Sequence, residues 1–330
     1  MNTLKGYQIF FVLICLSMAL ALTIENVKAS PKQQGEMDFA AIDAYVTEQM
    51  NNLGIPGMAL GIVQDDQIVH MQGFGVADSS GRRVTPQTPF HIGSVTKSFT
   101  ALAVMQLVEA GKINLDAPVQ KYLPWFELAD EDASAKITVR NLLNHTTGIS
   151  RIDGERDMAS QQGLEEEVRG LNTIQLTQPV GITFQYSNLN YNIAGLIVEK
   201  VSGQSYADYV AQHIFEPLEM SHSYASRAPA LADGLAAGHH YMFGRAFGWE
   251  LAVPPAHIPS GYLIASVEDL SHYAIAQRND GLYGNTVVLS PQGIAELHAP
   301  AIPAGGRWAI RDGLDCQYMG WNTDCLAQRK

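Results

Sequence analysis

A mixed α/β fold, in which a helix-rich insertion is set into a sheet-bearing chain, is predicted by three stretches of this sequence. Met37 to Asn52 carries Phe39, Ile42, Tyr45, Val46 and Met50 at helical spacing and stops before Gly54, a residue suited to the position just past a helix. Met58 to Val63 and Ile68 to Phe74 are β-like runs on either side of Asp65-Asp66, the pattern of an antiparallel hairpin. From there to about residue 260, helix signals and long loops dominate.

The elements follow in order. The chain loops through Asp78-Ser79-Ser80-Gly81 and Thr85-Pro86 before Phe99, Leu102, Met105, Leu107 and Val108 mark a helix that ends near Gly111. Further helix starts are legible in Thr138 ahead of Val139-Arg140-Asn141-Leu142-Leu143, in the capping pairs Ser205/Asp208 and Ser266/Asp269, and in Ser290-Pro291. No internal repeat, low-complexity tract or Ser/Gly linker intervenes, so the lobes are expected to pack together rather than be tethered.

Residues 1–29 read as an export signal. Lys5 lies in a short n-region, Ile9 to Leu22 is apolar except for Ser17, and Val27-Lys28-Ala29 is a small-residue cleavage site, with an alternative cut after Ala19-Leu20-Ala21. The apolar run is shorter than the ~20 residues of a spanning helix, which favours cleavage over a membrane anchor. Residues 30–330 would then be the mature domain, periplasmic or extracellular, with no stable membrane span.

The 330 residues are 46% hydrophobic, enough for one large core or two fused lobes. The formal charge of −12 repels polyanions, which argues against nucleic acid as a partner but not against a small neutral or zwitterionic substrate. Cys15 would leave with the leader. Cys316 and Cys325 are close enough for a local disulfide in an oxidising compartment, and equally close by chance. No set of histidines and cysteines has zinc-ligand spacing, so neither a metal nor an organic cofactor is implied.

Chemistry enters at Ser94-Val95-Thr96-Lys97. Positions i and i+3 share a helix face, so the lysine nitrogen can reach back to the serine hydroxyl. A serine needs a neighbouring base to attack at neutral pH, and a lysine of ordinary pKa, ~10.4, is protonated there. Burial is therefore expected to lower the Lys97 pKa. Gly93 lets the chain turn tightly into the helix, and Ser94 at its start is expected to have free backbone N–H groups nearby to support an oxyanion. The second element is Tyr186-Ser187-Asn188, entered through Gly181-Ile182-Thr183-Phe184. A phenol both donates and accepts, and as phenolate is a competent base; Asn188 can orient an amide. The nucleophile-elbow scheme fails, because Ile92 and Thr96 stand where it requires glycine.

Together these residues resemble the serine β-lactamase and penicillin-binding protein superfamily, specifically its class C β-lactamase-related hydrolases. Several further stretches carry the likeness: Gly111-Lys112-Ile113-Asn114-Leu115-Asp116-Ala117-Pro118-Val119 with Tyr122-Leu123-Pro124; Leu142-Leu143-Asn144-His145-Thr146-Thr147-Gly148-Ile149; Tyr186 through Gly195 and Val201-Ser202-Gly203; Ile214-Phe215-Glu216-Pro217-Leu218; and Pro259-Ser260-Gly261-Tyr262. The resemblance runs from about Met37 to Trp321. It implies a sandwich, an antiparallel sheet with helices on both faces, plus a helical lobe over about 95–260 with the active site in the cleft between them. It further implies Ser94 as the acylated nucleophile, Lys97 as its base partner, Tyr186 as base and later acid, and Asn188 as a substrate-amide ligand. His145 is expected to be architectural.

One departure is plain. The family carries a Lys-Thr-Gly or His-x-Gly strand downstream of a Gly-Trp segment, and nothing of that kind follows Met319-Gly320-Trp321. The expectation is a C-terminally truncated relative that lacks the strand supplying the second oxyanion donor. Two functional readings follow: a hydrolase acting on a β-lactam, a D-Ala-terminated wall peptide or an ester, or a non-catalytic binding, sensor or inactive product.

Overall fold

The computed structural model describes residues 37–155, 161–243, 245–303 and 318–319. Residues 1–29, read above as an export signal, lie outside them, as do Cys316, Cys325 and Gly320-Trp321. The chain divides into two compact units, Met1–Tyr45 and Val46–Lys330, with the boundary inside helix α1 (Phe39–Leu53).

The expected hairpin forms. Strand β1 (Gly57–Gln64) pairs antiparallel with β2 (Gln67–Gly75), in register from Gly57 opposite Gly75 to Gln64 opposite Gln67, with a shift between Ile62 and Val63. Asp65 turns the corner at φ 55°, a left-handed conformation that aspartate tolerates better than most residues. Strand β3 (Phe90–His91) leads to the functional site and pairs with β6 (Ile264–Ala265). The other antiparallel pairs are β4 (Gly238–Met242) with β5 (Arg245–Trp249), β7 (Leu282–Tyr283) with β8 (Thr286–Val287), and β9 (Ile302–Pro303) with β10 (Tyr318–Met319). Among the described residues every sheet is two strands wide, so the antiparallel character expected of the fold is present in small pieces flanked by helices.

The helices after the first hairpin are α2 (Thr96–Glu109), α3 (Glu131–Ser134), α4 (Val139–Leu143), α5 (Arg151–Gly154), α6 (Leu164–Arg169) and α7 (Asn188–Ser202). They continue as α8 (Tyr206–Val210), α9 (Arg227–Ala232), α10 (Ile258–Gly261), α11 (Val267–Arg278) and α12 (Pro291–His298). The caps read from the sequence are made. Thr138 and Asn141 form a reciprocal capping box, and Ser205, Ser266 and Ser290 accept from the amides of Asp208, Asp269 and Gly293 at 3.1 Å.

Two helices run through the core. Helix α2 is buried from Thr96 to Met105, and α7 from Leu189 to Val198. Such all-round burial explains why neither shows a clean polar face. Phe99 stacks on Tyr273 at 4.0 Å between centroids and meets Phe215 edge-on at 5.9 Å. Helix α10 packs on both α2 and α7. Its approach to α7 is so close that a Cβ on Gly195 would lie 2.4 Å from Pro259 Cγ. Any larger residue there would push α10 away. No helix among the described residues is long and apolar enough to cross a membrane.

One sequence expectation needs correction. The region read as helices and loops up to residue 260 contains the β4/β5 hairpin. Its side chains are largely exposed on both faces, so it lacks the alternation of buried and exposed positions by which a strand is recognised.

Candidate active site

Ser94 lies not in α2 itself but in a 3-10 turn, Gly93–Val95, that runs into it. Gly93 has φ +52° with open space around its missing Cβ, so glycine is required there by backbone conformation rather than by crowding. The turn exposes Ser94, and among the described residues the Ser94 amide makes no hydrogen bond. That leaves a backbone donor beside the hydroxyl. Lys97, in the first turn of α2, is only 6% exposed.

The structure brings the four predicted residues together. Tyr186 Oη lies 2.6 Å from Ser94 Oγ, and Lys97 Nζ is 3.4 Å from the same oxygen. Lys97 Nζ also donates to Asn188 Oδ1 at 2.8 Å and to the carbonyl oxygen of Ser260, and stands 4.7 Å from the Tyr186 ring centroid. Lys97 Nζ thus has oxygens of Ser94, Asn188 and Ser260 within hydrogen-bond reach. Asn188 spends its carbonyl oxygen on Lys97, which leaves its amide N–H groups as donors.

Sequence reasoning missed Ser260. Its contribution is a backbone carbonyl, which no residue identity advertises, although Pro259-Ser260-Gly261-Tyr262 stood out as a stretch. The position is fixed from several sides: Thr100 Oγ1 donates to Pro259 O at 2.7 Å, the Leu263 amide donates to Thr96 Oγ1 at 3.1 Å, and the Ile92 amide donates to Leu263 O at 3.1 Å. The strand entering the nucleophile turn and the segment holding the lysine are thus tied directly together.

His145 holds Tyr186 rather than Ser94. Its carbonyl accepts from the Gln185 amide at 2.7 Å, its Nδ1 accepts from the Ser187 amide at 3.2 Å, and its ring stacks on Tyr186 at 4.7 Å. An Nδ1 that accepts a backbone N–H places the single proton of the neutral ring on Nε2. Burial, and secondarily the charge of Lys97, push the His145 pKa down to about 3. The ring is therefore neutral at physiological pH. Thr147 Oγ1 donates to Asn190 Oδ1 at 2.8 Å, and Gly181 N donates to Thr146 O at 2.7 Å, so the whole His-Thr-Thr-Gly loop braces the Tyr186 segment.

The letters His-x-Gly do occur upstream, at His91-Ile92-Gly93, where they belong to β3 and the entry to the nucleophile turn. A cavity of about 370 Å³ lined by Gln106, Glu109, Lys112, Gln204, Tyr209 and His213 lies toward the opposite end of α2 from Lys97, away from this constellation.

A serine in a turn ahead of a buried helix, joined by a lysine one turn on and by a tyrosine from a second chain segment, defines a site of the Ser–Lys–Tyr class. Residues 42–321 match the family model described as Beta-lactamase, and the chain belongs to that family, within the serine β-lactamase and penicillin-binding protein superfamily. It is 31% identical to Protein flp of Staphylococcus aureus (strain MW2), over 72% of this chain and 48% of that one. It is 30% identical to Unguisins hydrolase ungD' of Aspergillus campestris (strain IBT 28561), over 79% of this chain and 50% of that one. The octameric penicillin-binding protein homologue from Pyrococcus abyssi superposes with a TM-score of 0.72 at 30% identity, covering 87% of this chain and 64% of that one. The chain spans about half the length of the curated relatives it matches.

Proposed function

We propose that this chain is a serine hydrolase that cleaves amide or ester bonds through an acyl-enzyme on Ser94. The observation that carries the reading is the 2.6 Å separation of Tyr186 Oη and Ser94 Oγ with the Lys97 nitrogen beside both. Membership of the Beta-lactamase family and the likeness to a protein named a hydrolase support it.

In this reading Lys97 acts as an ammonium whose charge, 4.7 Å from the Tyr186 ring centroid, holds Tyr186 as phenolate. Tyr186 takes the Ser94 proton as Oγ bonds to the substrate carbonyl carbon. The resulting oxyanion meets the Ser94 amide. Tyr186 then returns the proton to the departing nitrogen or oxygen as the C–N or C–O bond breaks. Water then gives a proton to the same phenolate as its oxygen bonds to the acyl carbon, and Tyr186 passes that proton to Ser94 Oγ as the acyl C–Oγ bond breaks, releasing the acid. The amide N–H groups of Asn188 orient the acyl side chain. The substrate class is a β-lactam, a D-Ala-terminated peptide or an ester, the catalytic type that of class C β-lactamases and DD-peptidases, and the location outside the cytoplasm after loss of residues 1–29.

Incubation with a fluorescent penicillin, a chromogenic cephalosporin and a p-nitrophenyl ester, followed by intact-mass measurement, tests this. Turnover with a transient mass increase on Ser94 is the expected result. A stable adduct without turnover indicates a penicillin-binding or sensor protein instead. Absence of any adduct, or activity that survives Ser94→Ala, refutes the assignment.

A further inference from the structure

Behind the site lies a buried polar cluster that the scheme above does not use. Glu167 on α6 is 8% exposed, His257 1% and Asn192 0%. Glu167 Oε2 accepts from Asn192 Nδ2 at 2.8 Å, and Glu167 Oε1 lies 2.7 Å from His257 Nε2, a close contact without hydrogen-bond geometry. Burying a carboxyl group costs free energy unless its polar atoms find partners.

Those partners occupy telling positions. Asn192 is one helical turn beyond Asn188 on α7, so both lie on one face: Asn188 reaches Lys97 while Asn192 reaches Glu167. His257 ends the 3-10 turn Pro255–His257 that leads into α10, and its carbonyl accepts from Ser260 Oγ at 3.0 Å, three residues before the carbonyl that receives Lys97 Nζ. One side chain therefore meets two of the elements that supply Lys97 with acceptors, α7 through a hydrogen bond and the turn entering α10 through a 2.7 Å contact. Helix α6 packs against α7 and against the 3-10 turn carrying His257.

We infer that Glu167 is a positioning residue: by holding Asn192 and His257 together it sets the spacing of Asn188 Oδ1 and Ser260 O about Lys97. The kinetic consequence rests on the proposed acylation of Ser94; the geometric one does not. Displacement of one acceptor by an ångström would let the lysine swing from the serine and the phenol, where an error of that size can cost about 100-fold in rate.

The test compares Glu167→Ala and Glu167→Gln with the parent. The glutamine keeps an acceptor for Asn192 and a polar group of the same size facing His257. The rate constant of Ser94 acylation, counted per acylatable site, is expected to fall about 10- to 100-fold in the alanine variant with KM changed by less than about threefold, and to recover largely in the glutamine variant. A crystal structure of Glu167→Ala is expected to show Ser260 O or Asn188 Oδ1 withdrawn from Lys97 Nζ. An unchanged rate per site accompanied only by a lower Tm, or a lysine cage left intact in the crystal, overturns the inference. If the alanine variant does not fold, Asn192→Ala cuts one arm while leaving the Glu167–His257 pair, and the same measurements decide. If the parent acylates with no probe, the hydrolase reading fails on its own, and the crystal structures still judge the clamp.

Discussion

Two regions of this molecule treat polarity in opposite ways. Around Lys97 the chain buries the lysine, the His145 imidazole and the Glu167 carboxyl group among helices, and holds each with named partners. At the β4/β5 hairpin it leaves Phe243 fully exposed, Trp249 at 58% and Met242 at 52%, with little but the Tyr241 hydroxyl, donating to Leu53 O at 2.6 Å, to fix it. Buried polar groups cost free energy unless paired, so their persistence marks geometry on which chemistry depends. Exposed apolar groups on a ribbon carry little folding energy, and their loss should scarcely be felt. The contrast predicts where substitutions act and where they do not.

The largest effect is expected at the nucleophile. Ser94→Ala should remove the covalent adduct and lower any hydrolysis by about 10⁴-fold or more, read by intact mass and initial rates. Tyr186→Phe keeps the ring stacked on His145 but deletes the oxygen 2.6 Å from Ser94; acylation should slow by about 10²- to 10⁴-fold while thermal stability holds. If Tyr186→Phe acylates at the parental rate, the active phenolate is wrong and Lys97 alone is the base.

His145 gives a stability prediction with a defined sign. Its folded pKa of about 3 lies below the 6.5 of the unfolded chain, so the unfolded state binds the proton first. Its stabilising contribution is complete above about pH 6.5 and is lost as pH falls from there toward 3, reaching about 2 kcal/mol by pH 5. Urea unfolding at pH 7 and pH 5 should show that loss in the parent. His145→Gln should be less stable at pH 7 but should lose less between the two pH values. An equal pH sensitivity in both proteins would place the titrating group elsewhere. His91 and His298, whose pKa values burial also lowers, contribute in the same direction and remain in both.

What the sequence disclosed follows the same division between local and distant causes. The β1/β2 hairpin, the helix caps and the Ser94/Lys97 spacing are all set by residues a few positions apart, and they are found where the pattern put them. Tyr186 and Asn188 lie some ninety positions from Ser94 in the chain; only the order of motifs shared with the family links them to it, since no local rule does. Ser260 acts through a carbonyl that every residue type possesses. Glu167, Asn192 and His257 meet only after α6, α7 and the turn before α10 have packed, and each alone reads as an ordinary polar residue. The β4/β5 hairpin was missed for the converse reason: exposed on both faces, it writes no periodicity into its residues.

The smallest effect is expected at that hairpin, and it tests the comparison from its other side. Phe243 sits at the tip with φ 50°, a conformation in which a bulky side chain is disfavoured, and it buries nothing in return. Phe243→Asn suits the left-handed backbone better and gives up no packing. The double variant Met242→Ser, Phe243→Asn should therefore change unfolding free energy by no more than about 0.5 kcal/mol and leave the acylation rate at Ser94 unaltered. Matching denaturation midpoints with a slower acylation would mean that the ribbon takes part in handling the substrate. A clear loss of stability would mean that the ribbon is held by contacts its exposure does not reveal. With both quantities unchanged, the work of the fold is confined to the helices and turns that cage Lys97.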